Sequence, residues 1–215
     1  MNVFKKSLFS LLLFVGSYNC FAQEISIRGG LNLARFVYEN HDGKIDYDGI
    51  KSLSGFNFGP ILELPLKGKF SFETGILATT KGRKITGTNE YLFKDNLLYL
   101  EIPALLKAYF SLKNARVFGV AGPYAGGAIY GKRYGESIEN NVLKKVKADI
   151  HWGNKPNEYD RFDFGLKLGI GTKINRYQFG AQYNIGLKNF SNDDDLILRH
   201  KTLEFYFAYK INVFK

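Results

Sequence analysis

Nine ionisable residues of this chain sit where charge is costly. Arg28, Glu63, Glu73, Glu101, Lys107, Asp163, Lys167, Glu204 and Lys210 each fall in a run whose alternate positions are apolar. Five carboxylates facing four cations have two chemical uses. A carboxylate such as Glu101 or Glu204 in a low-dielectric site can serve acid–base chemistry or pass protons. Alternatively, acids and bases of nearly balanced sign can neutralise one another and fill an interior. The balance of signs favours the second use, a structural charge network. A second set lies in polar stretches: His41, His151 and His200, with Ser191 and Asp193 close to His200. Ser, His and Asp are the residues of a rim site acting on lipid, but no nucleophile motif frames them. Asp193-Asp194-Asp195 offers oxygen ligands without the spacing of a calcium loop. The expectation is therefore no catalytic residue, no cofactor site and no metal site, and a protein that is not an enzyme.

The elements carrying the nine charges have a period of two. From Arg161 to Leu187, positions Phe162, Phe164, Leu166, Leu168 and Ile170 are apolar, and Asp163, Gly165, Lys167, Gly169 and Gly171 are charged or glycine. After Asn175-Arg176 the alternation resumes with Phe179, Ala181, Tyr183 and Ile185. Such a pattern is a β-hairpin with one apolar and one polar face. Each arm has the ~10 residues that a tilted strand needs to cross a bilayer.

Seven connections separate eight such runs. Those at 39–52, 81–96, 131–160 and 189–200 are long and polar, and those at 66–69, 111–115 and 175–176 are short. Long and short alternate, so an up-and-down closed sheet gathers all long loops at one rim. Alternation does not itself say which face is inside. Glycine mixed with charge suits a narrow lumen better than a solvated surface. Aromatics at strand ends form two girdles, Phe70, Phe110, Phe118 and Tyr177 at the short turns and Phe36, Phe56 and Phe162 at the long loops. On the fifth run, Arg116 to about Tyr130, the outward residues are expected to be Phe118, Val120 and Tyr124. Pro60, Pro103 and Pro123 each lack a ladder donor, so bulges or breaks are expected there.

The 215 residues include 14 Tyr, 19 Phe and 23 Gly, a composition of strands and not helices. Residues 1–22 read as a secretion signal: Lys5-Lys6, an apolar Leu8–Val15 segment, and Cys20-Phe21-Ala22 before the cut at Gln23. Cleavage there removes the one cysteine, so the mature chain, 23–215, has no disulfide. A formal charge of +10 without a basic cluster argues against nucleic acid and for anionic lipid headgroups. The fold expected is all-β, an eight-stranded antiparallel up-and-down transmembrane barrel of the OmpA/OmpX type.

Short motifs add a resemblance. Tyr99-Leu100-Glu101-Ile102-Pro103, Gly122-Pro123-Tyr124, Asp163-Phe164-Gly165-Leu166 and Gln182-Tyr183-Asn184-Ile185-Gly186-Leu187 are similar to the PorT-like outer-membrane β-barrel family of Bacteroidota. Gly29-Gly30-Leu31-Asn32-Leu33 resembles that family's first strand. The resemblance implies kinship with a barrel needed for secretion of surface proteins. The chain departs from the usual aromatic barrel ending, closing on Val213-Phe214-Lys215. The reading from sequence is a small outer-membrane barrel with a plugged lumen. Its loops would bind or assemble with envelope proteins, and its wall would meet outer-membrane lipid and lipopolysaccharide. A passive small-solute pore and a lipid-modifying enzyme stand as alternatives.

Overall fold

The computed structural model describes residues 23–40, 43–45, 49–87, 92–139, 142–156, 158–192 and 196–211. The expected leader, His41, Asp193-Asp194-Asp195 and the closing Val213-Phe214-Lys215 lie outside the described residues.

Strand β1 is Glu24–Asn40 and is followed by the short β2, Gly43–Ile45, and β3, Ile50–Lys51. Next come β4, Leu53–Pro65, then β5, Phe70–Gly75, and β6, Leu77–Thr86, which form one stave interrupted at Ile76. β7 spans Leu92–Ser111, β8 Arg116–Glu139 and β9 Val142–Asp149. β10, Phe162–Ile174, β11, Tyr177–Gly186, and β12, Ile197–Ile211, complete the chain.

All neighbours pair antiparallel. β1 closes the circle, pairing β4 from Glu24↔Glu63 to Ala34↔Leu53 and β12 from Ile25↔Ile211 to Glu39↔Ile197. The eight staves are β1, β4, β5 with β6, β7, β8, β10, β11 and β12. Closure leaves no sheet edge along the wall, which is the only way a sheet persists in hydrocarbon.

The two faces are inverted relative to a water-soluble protein. Phe164, Leu168, Phe179 and Phe205 are 51%, 64%, 47% and 50% exposed on the outside, whereas Lys167 and Glu204 are buried within. Phe56, Phe70, Phe110, Phe162 and Tyr177 are also exposed, at the two ends of this apolar band.

Four sequence expectations need correction, and a fifth, at the prolines, is met only in part. Phe118, Val120 and Tyr124 point inward, and the outward residues of β8 from 119 to 127 are small: Gly119, Ala121, Pro123, Ala125 and Gly127. Gly171 makes room for one ring, since a Cβ there would lie 2.3 Å from Phe118 Cζ. Phe36 also turns inward, so Phe36 and Phe118 leave the proposed girdles. The prolines break the ladder locally without shifting it. β7 and β8 lose pairing between Pro103↔Tyr124 and Leu106↔Ala121 and resume in the same register, Pro123↔Leu166 is continuous, and the one register shift of β7 against β8 falls at Leu98/Tyr99. At Pro60 the stave opposite is interrupted, yet Ile76 N–H still donates to the Pro60 carbonyl (3.1 Å). The stretches taken as loops at 39–52, 81–96, 131–160 and 189–200 are partly strand. β6 and β7 stay paired up to Thr86↔Leu92, and β8 and β9 form a hairpin beyond the barrel. His200 belongs to β12 and not to a loop end.

The short-turn end is simpler. Ile174 pairs Tyr177 across a two-residue turn in which Asn175 takes φ 54°, a left-handed conformation that asparagine tolerates.

Candidate functional site

The interior is the candidate site, because inward positions of all eight staves converge there. Beside the short turns, Lys173 contacts Glu24, and Lys210 Nζ lies 2.9 Å from the same carboxylate. Deeper, Glu63 accepts hydrogen bonds from Tyr109 Oη (2.7 Å), Ser71 Oγ (2.9 Å) and Lys107 Nζ (3.1 Å). Lys107 also contacts Glu73, and Glu73 receives Arg28 Nη2 at 2.6 Å. The Arg28 guanidinium lies over the Tyr206 ring, 3.9 Å from its centroid. Gly180 is what lets that ring press against the wall, since a Cβ there would approach it to 2.5 Å.

A second tier sits toward the long loops. Lys81 Nζ bridges Glu101 (2.6 Å) and Asp163 (2.5 Å), and Tyr124 Oη donates to Asp163 (3.0 Å). Lys167 bridges Glu101 (2.8 Å) and Glu204 (3.4 Å), and Asn184 Nδ2 donates to Glu204 (2.6 Å). Above these, buried Asp95 binds Arg83 (2.8 Å) and Arg133 (2.7 Å). Charges out of water hold only when each meets an opposite charge and further donors, which these tiers provide.

The long-loop end is filled differently. Phe36, Tyr38, Leu97, Tyr99, Ile150, Tyr159, Phe190 and Leu198 form an apolar cluster inside the mouth. His200 is stacked on Phe190, with centroids 4.1 Å apart and planes at 7°. Its Nε2 is 3.3 Å from Tyr99 Oη. Segments on either side of β10 and β11 fold in to supply this packing. Asp160 N–H donates to the Phe190 carbonyl, and Lys188 Nζ grips the Asp160 carboxylate at 2.5 Å. Burial works against the Asp160 carboxylate, yet the Lys188 ammonium and the Phe162 N–H hold it below its ordinary pKa.

Of the nine charges singled out in the sequence, Arg28, Glu63, Glu73, Glu101, Lys107, Asp163, Lys167 and Glu204 are all buried in these tiers. Lys210 shares the inward phase of β12 but sits at the short-turn rim, half-buried against Glu24. Sequence reasoning missed Lys81 and Asp95, which stood in a stretch read as loop, and Lys173, whose alternation was visible. His200 is 1% exposed and sandwiched between rings, and not open at a rim. His151 lies on the loop side, outside the interior cluster. Among the described residues, no three His, Cys, Asp or Glu side chains are grouped as metal ligands.

No curated protein matches the chain. Among solved structures, it is similar to Ail, the attachment invasion locus protein of Yersinia pestis, in complex with the heparin analogue sucrose octasulfate. That match has 17% identity, TM-score 0.41, and covers 89% of this chain and 100% of that one. It is also similar to OprG of Pseudomonas aeruginosa (13%, TM-score 0.40, 89% and 97%). A third similar structure is Neisserial surface protein A (11%, TM-score 0.39, 88% and 99%). The family model for the outer membrane protein beta-barrel domain matches residues 21–192, most of the chain. An apolar outer wall, a charged interior, closure of β1 on β12 and this match agree: the chain belongs to the outer membrane protein beta-barrel family and resides in the bacterial outer membrane.

Proposed function

We propose that the protein is a small barrel that passes no solute and uses its long-loop end as a binding or assembly surface. Residues 1–22 act as its secretion signal, and the long loops face the cell exterior. The observation that carries this reading is the filling of the tube. Arg28, Lys81, Lys107 and Lys167 are fully buried, each held by one or two carboxylates, and the mouth above them is packed with rings. An eight-stranded barrel has an interior just wide enough for its own side chains. Function then moves to the rim, where the segments within 39–52, 81–96, 131–160 and 189–200 present varied chemistry on a rigid scaffold.

The motifs around Glu101, Pro123, Asp163 and Tyr183 support a place in the PorT-like branch of Bacteroidota barrels. With it comes a role beside protein secretion, with envelope proteins as partners. Outer-membrane lipid and lipopolysaccharide surround the wall. In this reading the protein has no enzymatic activity and no cofactor, since His200 is enclosed by Phe190 and Tyr99. It takes no nucleic acid.

The passive-pore alternative has one observation in its favour: Gln182 Nε2, Asn184 Oδ1 and Thr202 Oγ1 are buried polar atoms without a protein partner, which water could serve. Planar-bilayer recording of the purified barrel separates the two. Silent membranes at high salt are expected, and stepwise ohmic currents from the wild-type protein would reject the closed tube.

A further inference from the structure

We propose that a row of lysines on the outer wall, Lys51, Lys84, Lys94 and Lys147, is a docking surface for the phosphorylated headgroup of an outer-leaflet glycolipid. The row is set by register. Lys51 pairs Lys84, Lys84 pairs Lys94, Lys94 pairs Tyr134, and Tyr134 pairs Lys147. Four of five consecutive cross-strand positions, on β3, β6, β7 and β9, are therefore lysine. At ~4.8 Å between strands the row spans roughly 19 Å.

Directly opposed like charges destabilise a sheet, and an anion lying across the row would relieve that. The described residues do not supply one. The row below contains Lys132 and Asp149, joined at 3.7 Å, and the row above contains Glu136 and Lys145, joined at 3.3 Å. Both carboxylates on this face of the β8–β9 hairpin are thus taken. Among the described residues no ion pair reaches Lys51, Lys84, Lys94 or Lys147, although Lys147 Nζ lies 5.7 Å over the Tyr134 ring. The next row inward, Arg83, Asp95 and Arg133, turns to the interior, where Asp95 is buried between its two arginines. Hence the four lysines look sideways, away from the lumen.

Their height selects the occupant. On the same face of β7, Leu98, Leu100 and Ile102 descend along the apolar wall, and Tyr130 lies opposite Leu98. Lys94 stands four residues above Leu98, roughly 13 Å along the strand. A cation at that level meets the headgroup layer beside the barrel, where lipid is the lateral neighbour. An acidic polypeptide would be expected over the top of the loops, not along the wall.

This inference rests on the wall meeting lipid and the long loops facing outward, not on the lumen being closed. A conducting barrel would leave it intact.

The test is native mass spectrometry of the full barrel released from a maltoside detergent, titrated with bisphosphorylated lipid A. Three variants accompany the wild type: Lys51→Gln/Lys84→Gln/Lys94→Gln/Lys147→Gln, the same four positions to Arg, and Lys132→Gln/Lys145→Gln. Unboiled gel mobility checks folding. The glutamine quadruple variant should lose at least about tenfold in affinity, given that each lysine near an anionic lipid surface contributes measurably. The arginine variant should retain affinity, and the Lys132/Lys145 variant should change less than about threefold because those charges are already neutralised locally. Wild-type affinity should fall with added salt and be lost for dephosphorylated lipid A. Undiminished binding by the glutamine variant, or equal binding of dephosphorylated lipid A, would overturn the proposal. So would preferential capture of a polyglutamate peptide through the same lysines, which would assign the row to an acidic protein.

Discussion

The barrel fills its tube in two ways, and the boundary between them is informative. Its middle is occupied by alternating acids and bases, Glu63, Lys107, Glu73 and Arg28 in one tier and Lys81, Asp163, Glu101, Lys167 and Glu204 in the next. The mouth is occupied by Phe36, Tyr99, Tyr159, Phe190 and His200. In the middle, the outward face must be apolar for lipid, so polarity demanded by hydrogen-bonding and solubility of the chain falls on the inward face. At the mouth the strands rise beyond that band, and loop segments can fold in to bury rings as any soluble core does. The same tube is therefore electrostatic where the membrane surrounds it and filled mainly by rings beyond it, with Asp95 and its two arginines the charged exception.

The two regions should fail differently when cut. In the middle, Glu73→Leu leaves Arg28 and Lys107 facing each other without their shared carboxylate. The expected loss is about 3–5 kcal/mol, since removing one partner strands a buried charge. Adding Arg28→Met should restore much of it, because a volume-filling apolar pair is often neutral. Urea unfolding of the refolded barrel in micelles reads both, and an additive double variant would deny the coupling. At the mouth, Phe190→Ala should cost about 3 kcal/mol through the cavity alone. No second substitution of opposite charge would rescue it. Its signature is faster proteolysis within 150–160, the segment that Phe190 holds through Asp160 and Tyr159.

How far the sequence reveals this follows from side-chain size. On β10 and β11 the large apolar residues face out, and on β7 and β12 the regular apolar set does so too, so alternation places Leu100, Leu168, Phe179 and Phe205 correctly. On β8 the rule inverts between 118 and 127, because the outward residues there are Gly119, Ala121, Pro123, Ala125 and Gly127, and the bulky Phe118, Val120 and Tyr124 fill the lumen. Reading size as a sign of lipid exposure selects the wrong face there. The partner that decides the matter for Tyr124, Asp163, lies 39 residues away. Lys81 and Asp95 were hidden for another reason. Their stretch is polar throughout, so its period is weak, and only the pairing of β6 with β7 makes it strand. The inward charges on clean strands were legible, whereas the aromatic mouth was not. Its contact between Tyr99 and His200 joins residues 101 positions apart.

The central claim is that lipid tails, not water or protein, touch the outer wall. Tryptophan quenching by brominated acyl chains tests it most directly, using Leu168→Trp and Lys167→Trp variants in a Trp152→Phe background. The account predicts strong quenching at position 168 and little at position 167. Equal quenching at both, or an unquenched tryptophan at position 168, would contradict it.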